Sequence, residues 1–118
     1  MGLVVDGKWQ VDEAYATDAQ GAFVRPQSKF RHWITADGAP GPAGAGGFTA
    51  EAGRYHLYVA GVCPWAHRAR IYHVMKGLDG AGGTPVVGLS LASSKRTDYG
   101  WEFVPDDPAL RDPLFASR

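Results

Sequence analysis

The chain has 118 residues, 45% of them hydrophobic and 20% charged, enough apolar material for one core and too weakly charged for a disordered chain. Its 12 Lys and Arg balance 12 Asp and Glu, so no net field gathers nucleic acid or an anionic bilayer onto the protein. The N-terminus reaches Asp6 and Lys8 after a short apolar run, which makes neither a secretory h-region nor a spanning segment. A soluble, intracellular protein is expected, with no nucleic acid and no membrane among its partners.

Residues 3–11, LVVDGKWQV, set Asp6-Gly7 between two short apolar stretches, and that dipeptide suits a tight hairpin turn because both residues tolerate positive φ. Residues 12–28 are polar with little periodicity, and the spacing of Phe30, Trp33 and Ile34 suggests a single turn anchoring an arm to the body. From Asp37 to Gly47, DGAPGPAGAGG is nearly all Gly, Pro and Ala and reads as a loop with nothing to pack a core. Its glycines are a weak match to a dinucleotide fingerprint, which must follow a strand and open a helix; here Phe48-Thr49-Ala50-Glu51 runs into another turn at Gly53.

Tyr55–Ala60, YHLYVA, is aromatic and β-branched and of strand length, and Gly61 permits a sharp exit. Over Pro64–Lys76 apolar side chains recur at Trp65, Ala69 and Tyr72 and at Ile71 and Met75, the spacing of an amphipathic helix. Pro64 suits its first position and Gly77 its left-handed stop. After a turn at Gly80–Gly83, residues 85–91 read as a second strand, and strand, helix and strand make a right-handed βαβ unit with parallel strands. Beyond Ala92 the signal fades, and Pro105, Pro108 and Pro113 break any long helix. Two strands and one helix leave exposed sheet edges that natural domains cover or pair, so the chain is expected to be the front of a larger fold.

The chain has one cysteine, Cys63, which forbids an intrachain disulfide and a Cys-cluster metal site. It directly precedes Pro64, at the N-cap of the expected helix. There the free N–H groups of Trp65 and Ala66 and the positive end of the dipole favour thiolate over thiol, and Arg68 adds positive potential if it bends back. Ala66 stands where a Cys-x-x-Cys oxidoreductase has its second cysteine, so an attacked sulfur is resolved only by a thiol from solution, with glutathione the abundant candidate. The alternative is an inert, packed cysteine. Of the four histidines, His67 and His73 project to different sides of the helix, His56 lies on the strand and His32 in the arm, so no metal site is expected. Trp101 follows the βαβ unit, where a ligand lying on the helix N-terminus comes within reach.

RYHLYVAGVCPWAHRARIYHVMKGL, Arg54–Leu78, closely resembles the glutathionyl-hydroquinone reductases, the xi class of glutathione transferases. Phe30–Phe48 is similar to their N-terminal extension and GWEF, Gly100–Phe103, to their glutathione-side segment. The resemblance implies an α/β fold: a thioredoxin-like βαβ N-terminal portion behind an extension, ending before the rest of the sheet and the all-helical domain. Residues 1–53 are then the extension with its Gly/Pro-rich loop, and 54–118 a partial thioredoxin-like glutathione-binding domain. It also implies a cytoplasmic enzyme, dimeric in full length, that takes small thiols and quinone-type substrates, with glutathione as co-substrate and no metal. Cys63 is the implied nucleophile on a glutathionyl-hydroquinone, leaving a mixed disulfide that a second glutathione resolves, and Trp101 an implied glutathione contact. The family's cis-proline strand, its acidic-serine turn and its helical-domain tyrosines find no match before Arg118. A general monothiol thioltransferase, and an inactive fragment that at most becomes glutathionylated at Cys63, are the alternatives.

Overall fold

A computed structural model of the chain describes residues 3–11, 16–104 and 106–108. The chain divides into two compact units, one of Met1–Glu13 with Ala52–Arg118 and one of Ala14–Glu51.

The first unit opens with the expected hairpin. β1 (Leu3–Val5) pairs antiparallel with β2 (Lys8–Gln10), and Asp6 and Gly7 take φ of 48° and 75° between them, the left-handed pair that matches strand twist.

In the second unit the expected turn at Trp33 and Ile34 is instead a strand. β3 (Trp33–Thr35) pairs parallel with β4 (Gly47–Thr49), and Phe30 is 95% exposed. The Gly/Pro stretch between them is a loop, but one that performs a parallel crossover. The Thr35 hydroxyl donates to the Ala39 carbonyl at 2.9 Å, and the Ala39 N–H donates to Asp37 at 3.0 Å. Earlier in this unit the Asp18 carboxylate accepts from the N–H groups of Gln20 and Ala22, at 3.0 and 2.8 Å, beneath a bridge between Thr17 and Phe23.

The centre of the first unit is β5 (Tyr55–Ala60), α1 (Pro64–Met75) and β6 (Val87–Ala92). The two strands pair parallel over their full length, Tyr55 opposite Val87 through Ala60 opposite Ala92, as the strand, helix and strand pattern predicts. α1 ends at Lys76 with Gly77 at φ 65°. The Gly77 N–H donates to Val74 and the Leu78 N–H to His73, both at 2.9 Å, so the last carbonyls are satisfied by a left-handed stop. A single turn at Gly80–Gly82 follows. β7 (Arg96–Thr97) and β8 (Gly100–Trp101) then form a small antiparallel hairpin where the sequence shows only a fading signal. The tail from residue 109 onward lies outside the described residues.

The amphipathic pattern expected of α1 is corrected by the packing. Trp65 is 66% and Met75 74% exposed, and Ile71, Tyr72 and Val74 are exposed as well. The helix turns toward the sheet through His73, 5% exposed, with Cys63, Ala66 and Arg70 half-buried along the same stripe. Apolar side chains surround most of this helix, so periodicity alone does not select the seated face; the small Ala66 and a polar bond made by His73 do. Among the described residues the buried hydrophobic ones are Val59, Ala60 and Ala92, at the C-terminal ends of β5 and β6. Among the described residues no helix is long and apolar enough to cross a membrane.

Candidate functional site

The site is built where β5 gives way to α1. Cys63 has extended backbone angles, φ −88° and ψ 115°, and is the N-cap of the helix with Pro64 at its first position. The Cys63 N–H donates to the Ala60 carbonyl and the Cys63 carbonyl accepts from the His67 N–H, both at 3.0 Å, so main-chain bonds on either side fix its Cα. Its side chain makes no capping hydrogen bond and is half-buried. The N–H groups of Trp65 and Ala66 have no partner among the described residues, and no acidic residue occupies the first turn. The positive end of the helix therefore has no carboxylate to offset it locally, and the sulfur beside it is uncommitted.

Arg68 reaches back along the helix by one turn. Its guanidinium carbon lies 5.3 Å from the centroid of the Trp65 ring, a cation–π placement that holds a positive charge over the first turn.

Two histidines secure the frame, and neither joins a metal-binding set. The His73 ring Nε2 lies 2.7 Å from the Val87 carbonyl; since a carbonyl only accepts, that nitrogen carries the proton, and the bond pins α1 to the start of β6. His56, on the strand face that also carries Tyr58 and Ala60, meets Ser90 across the ladder at 2.7 Å, Nε2 to Oγ. Gly88 faces His56 in the register, and a Cβ there would collide with the imidazole. His67 is exposed and His32 rests against Phe48 at 5.5 Å between centroids. Among the described residues no three His, Cys, Asp or Glu side chains come together as a metal-binding group.

Trp101, on β8, is placed by different means. It pairs with Arg96 and is 41% exposed, and no hydrogen bond or ring contact joins it to Cys63 among the described residues. The strand before it and the chain after it are tied down: the Ser93 N–H donates to the Glu102 carbonyl at 2.7 Å, and Phe103 meets Tyr58 of β5 edge-on at 5.5 Å. The sequence alone does not single out Tyr58, Phe103 or His73 for these roles. Each acts on a partner more than ten residues away, and the sequence points to this segment only through the place of Trp101 after the βαβ unit and the resemblance of GWEF.

No family model matches the chain. It is 46% identical to the glutathionyl-hydroquinone reductase YqjG of Escherichia coli over 100% of this chain and 35% of that protein. It is 36% identical to the glutathionyl-hydroquinone reductase PcpF of Sphingobium chlorophenolicum over 97% of this chain and 32% of that one. The glutathione-bound structure of YqjG superposes with a TM-score of 0.60 at 45% identity, covering 73% of this chain and 26% of that chain. The xi-class glutathione transferase of Natrialba magadii superposes with a TM-score of 0.68 at 32% identity, covering 98% and 30%. The chain spans about a third of the length of the curated relatives it matches. Over that shared length its parallel βαβ unit is part of a thioredoxin-like fold, and the chain corresponds to about a third of a glutathionyl-hydroquinone reductase, the xi class of glutathione transferases.

Proposed function

We propose that the chain carries the nucleophilic part of a glutathione-dependent reductase acting on glutathionyl-hydroquinones. The observation that carries this is one thiol, Cys63, at the N-cap of α1 with Ala66 where a resolving cysteine would stand. The Cys63 thiolate attacks the glutathione sulfur of the substrate. An S–S bond forms, the carbon–sulfur bond breaks, and the ring carbon keeps the electron pair and takes a proton, so the hydroquinone leaves reduced by two electrons. With no second thiol in the chain, the mixed disulfide is opened by the thiolate of a second glutathione, which regenerates Cys63 and releases oxidised glutathione.

The chain's own residues supply position and charge. The first turn of α1 presents its free N–H groups at the thiol and the Arg68–Trp65 pair holds a positive charge over that turn, and Trp101 contacts the bound glutathione. Residues 54–118 are the glutathione-binding part and 1–53 its extension. In this proposal glutathione is a co-substrate and no metal takes part, and the whole protein works in the cytoplasm as a homodimer on quinone-type substrates.

Intact mass after mixing the chain with a glutathionyl-hydroquinone, wild type against Cys63→Ser, tests the reading. A single glutathione adduct with hydroquinone released is expected for the wild type and neither for the variant. Turnover retained in Cys63→Ser, or no adduct on the wild type, would overturn it. Equal adduct formation from a glutathionylated peptide would instead assign the chain to a general thioltransferase, which needs the same thiol but no site for a quinone-derived ring.

A further inference from the structure

The N-terminal hairpin reaches the segment that carries Trp101, from the opposite end of the first unit's sequence. The indole N–H of Trp9, on β2, donates to the Asp98 carbonyl at 3.1 Å. Its ring stacks on Tyr99, with centroids 6.3 Å apart and planes inclined by 28°. A Cβ at Gly100 would lie 3.6 Å from the edge of the same indole, an ordinary van der Waals contact. Asp98 and Tyr99 are the two residues that turn β7 into β8, and Gly100 precedes Trp101. One side chain therefore contacts both turn residues of the hairpin that carries Trp101 and lies alongside Gly100.

A two-stranded hairpin of this length is marginal by itself, and β7 and β8 pair through only Arg96 with Trp101 and Thr97 with Gly100. Its internal support is slight: the Thr97 hydroxyl lies 3.4 Å from the Gly100 carbonyl, and the Tyr99 N–H donates to Thr97 Oγ1 at 3.2 Å. On the far side of Trp101 the chain is already fixed by Ser93 and by Tyr58 against Phe103. Trp9 is the contact that fixes the near side.

We propose that Trp9 is a positioning residue for Trp101, and that the N-terminal hairpin thereby sets the geometry of the glutathione subsite. The proposal rests on the reading of Trp101 as a glutathione contact, and its test separates the two. In the full chain, Trp9→Phe keeps a ring against Tyr99 and loses the donor, whereas Trp9→Ala loses both. Backbone amide exchange over residues 97–101 rises in the order wild type, Trp9→Phe, Trp9→Ala, while exchange within α1 stays at the wild-type rate. The concentration of glutathionyl-hydroquinone that half-saturates adduct formation rises about fivefold in Trp9→Ala and less in Trp9→Phe, the scale of one lost hydrogen bond. Alkylation of Cys63 by iodoacetamide, which needs no glutathione subsite, is unchanged.

Unchanged exchange over 97–101 in both variants would overturn the proposal, as would raised exchange with unchanged half-saturation when Trp101→Ala does shift half-saturation. If Trp101→Ala shifts nothing, the reading of Trp101 as a glutathione contact is what fails, and the exchange result alone decides whether Trp9 holds the turn.

Discussion

The two parallel strand pairs differ in what carries the chain between them. β5 and β6 pair over six residues with the helix α1 as their crossover; β3 and β4 pair over three with a Gly/Pro loop. The β5–β6 pair buries Val59, Ala60 and Ala92, and its helical crossover is seated by His73 on the Val87 carbonyl. A loop crossover has no side chains to lay down, and all three β3–β4 aromatic or aliphatic side chains, Trp33, Ile34 and Phe48, remain exposed. The helix also supplies what the loop lacks, a set of free N–H groups at its start, and the chain's one thiol stands there. Parallel pairing alone makes no site; the element that closes it does.

The sharpest way to break this contrast is to overfill the pair that has a core. Gly88→Val drives a branched side chain into the His56 imidazole and should cost about 2–3 kcal/mol of stability, read as a lower denaturant midpoint, while amide exchange in 33–49 stays unchanged. Next is the bond that seats the helix. His73→Leu keeps apolar volume but leaves the Val87 carbonyl without its partner, and about 1–2 kcal/mol should be lost, with faster exchange through α1. Loss confined to β3–β4 would show that the two pairs are not the separate structures described above.

On the loop side the effects are smaller. Thr35→Val removes the hydroxyl that holds the crossover to Ala39 and should cost about 0.5–1 kcal/mol, seen as faster exchange at Ala50 and in β4 and nowhere in β5 or β6. The smallest effect is a titration. The Ala39 N–H, then Asp37's own N–H and the Thr35 hydroxyl, hold the Asp37 carboxyl below its ordinary value of 3.8 against a little desolvation. A depressed carboxyl stabilises the folded loop above the unfolded value, and that contribution fades as pH falls through the lower folded value. The side-chain carbon resonance of Asp37 should therefore titrate below 3.8, and a midpoint at or above it would remove this account of the loop.

How far the sequence foretold all this follows the same divide. β5, α1 and β6 were readable because each has local signals: a β-branched and aromatic run, Pro64 at a helix start, Gly77 at its stop. The hairpin at Asp6-Gly7 was readable for the same reason. β3, β4, β7 and β8 are two or three residues long, too short for alternation to show, and each depends on a partner strand or on a contact such as Trp9 with Asp98, which lies 89 residues away. The seated face of α1 is not legible in the sequence because its apolar residues lie almost all round, and a histidine and an alanine decide the packing. Of the site, Cys63 follows from its place before Pro64. Trp101 follows from its place after the βαβ unit and from the resemblance of GWEF, whereas the side chains that place it emerge only in the structure.

Because Cys63 is the one thiol in the sequence and marks the junction of strand and helix, any maleimide dye or nitroxide attaches at a single known point. Trp65 lies two residues on, with the Arg68 guanidinium over its ring, close enough to quench such a dye by contact. Opening of the first helical turn thus becomes an optical signal in the dye-labelled chain without any substitution, one that reports melting of α1 at its start separately from unfolding of the sheet beneath it.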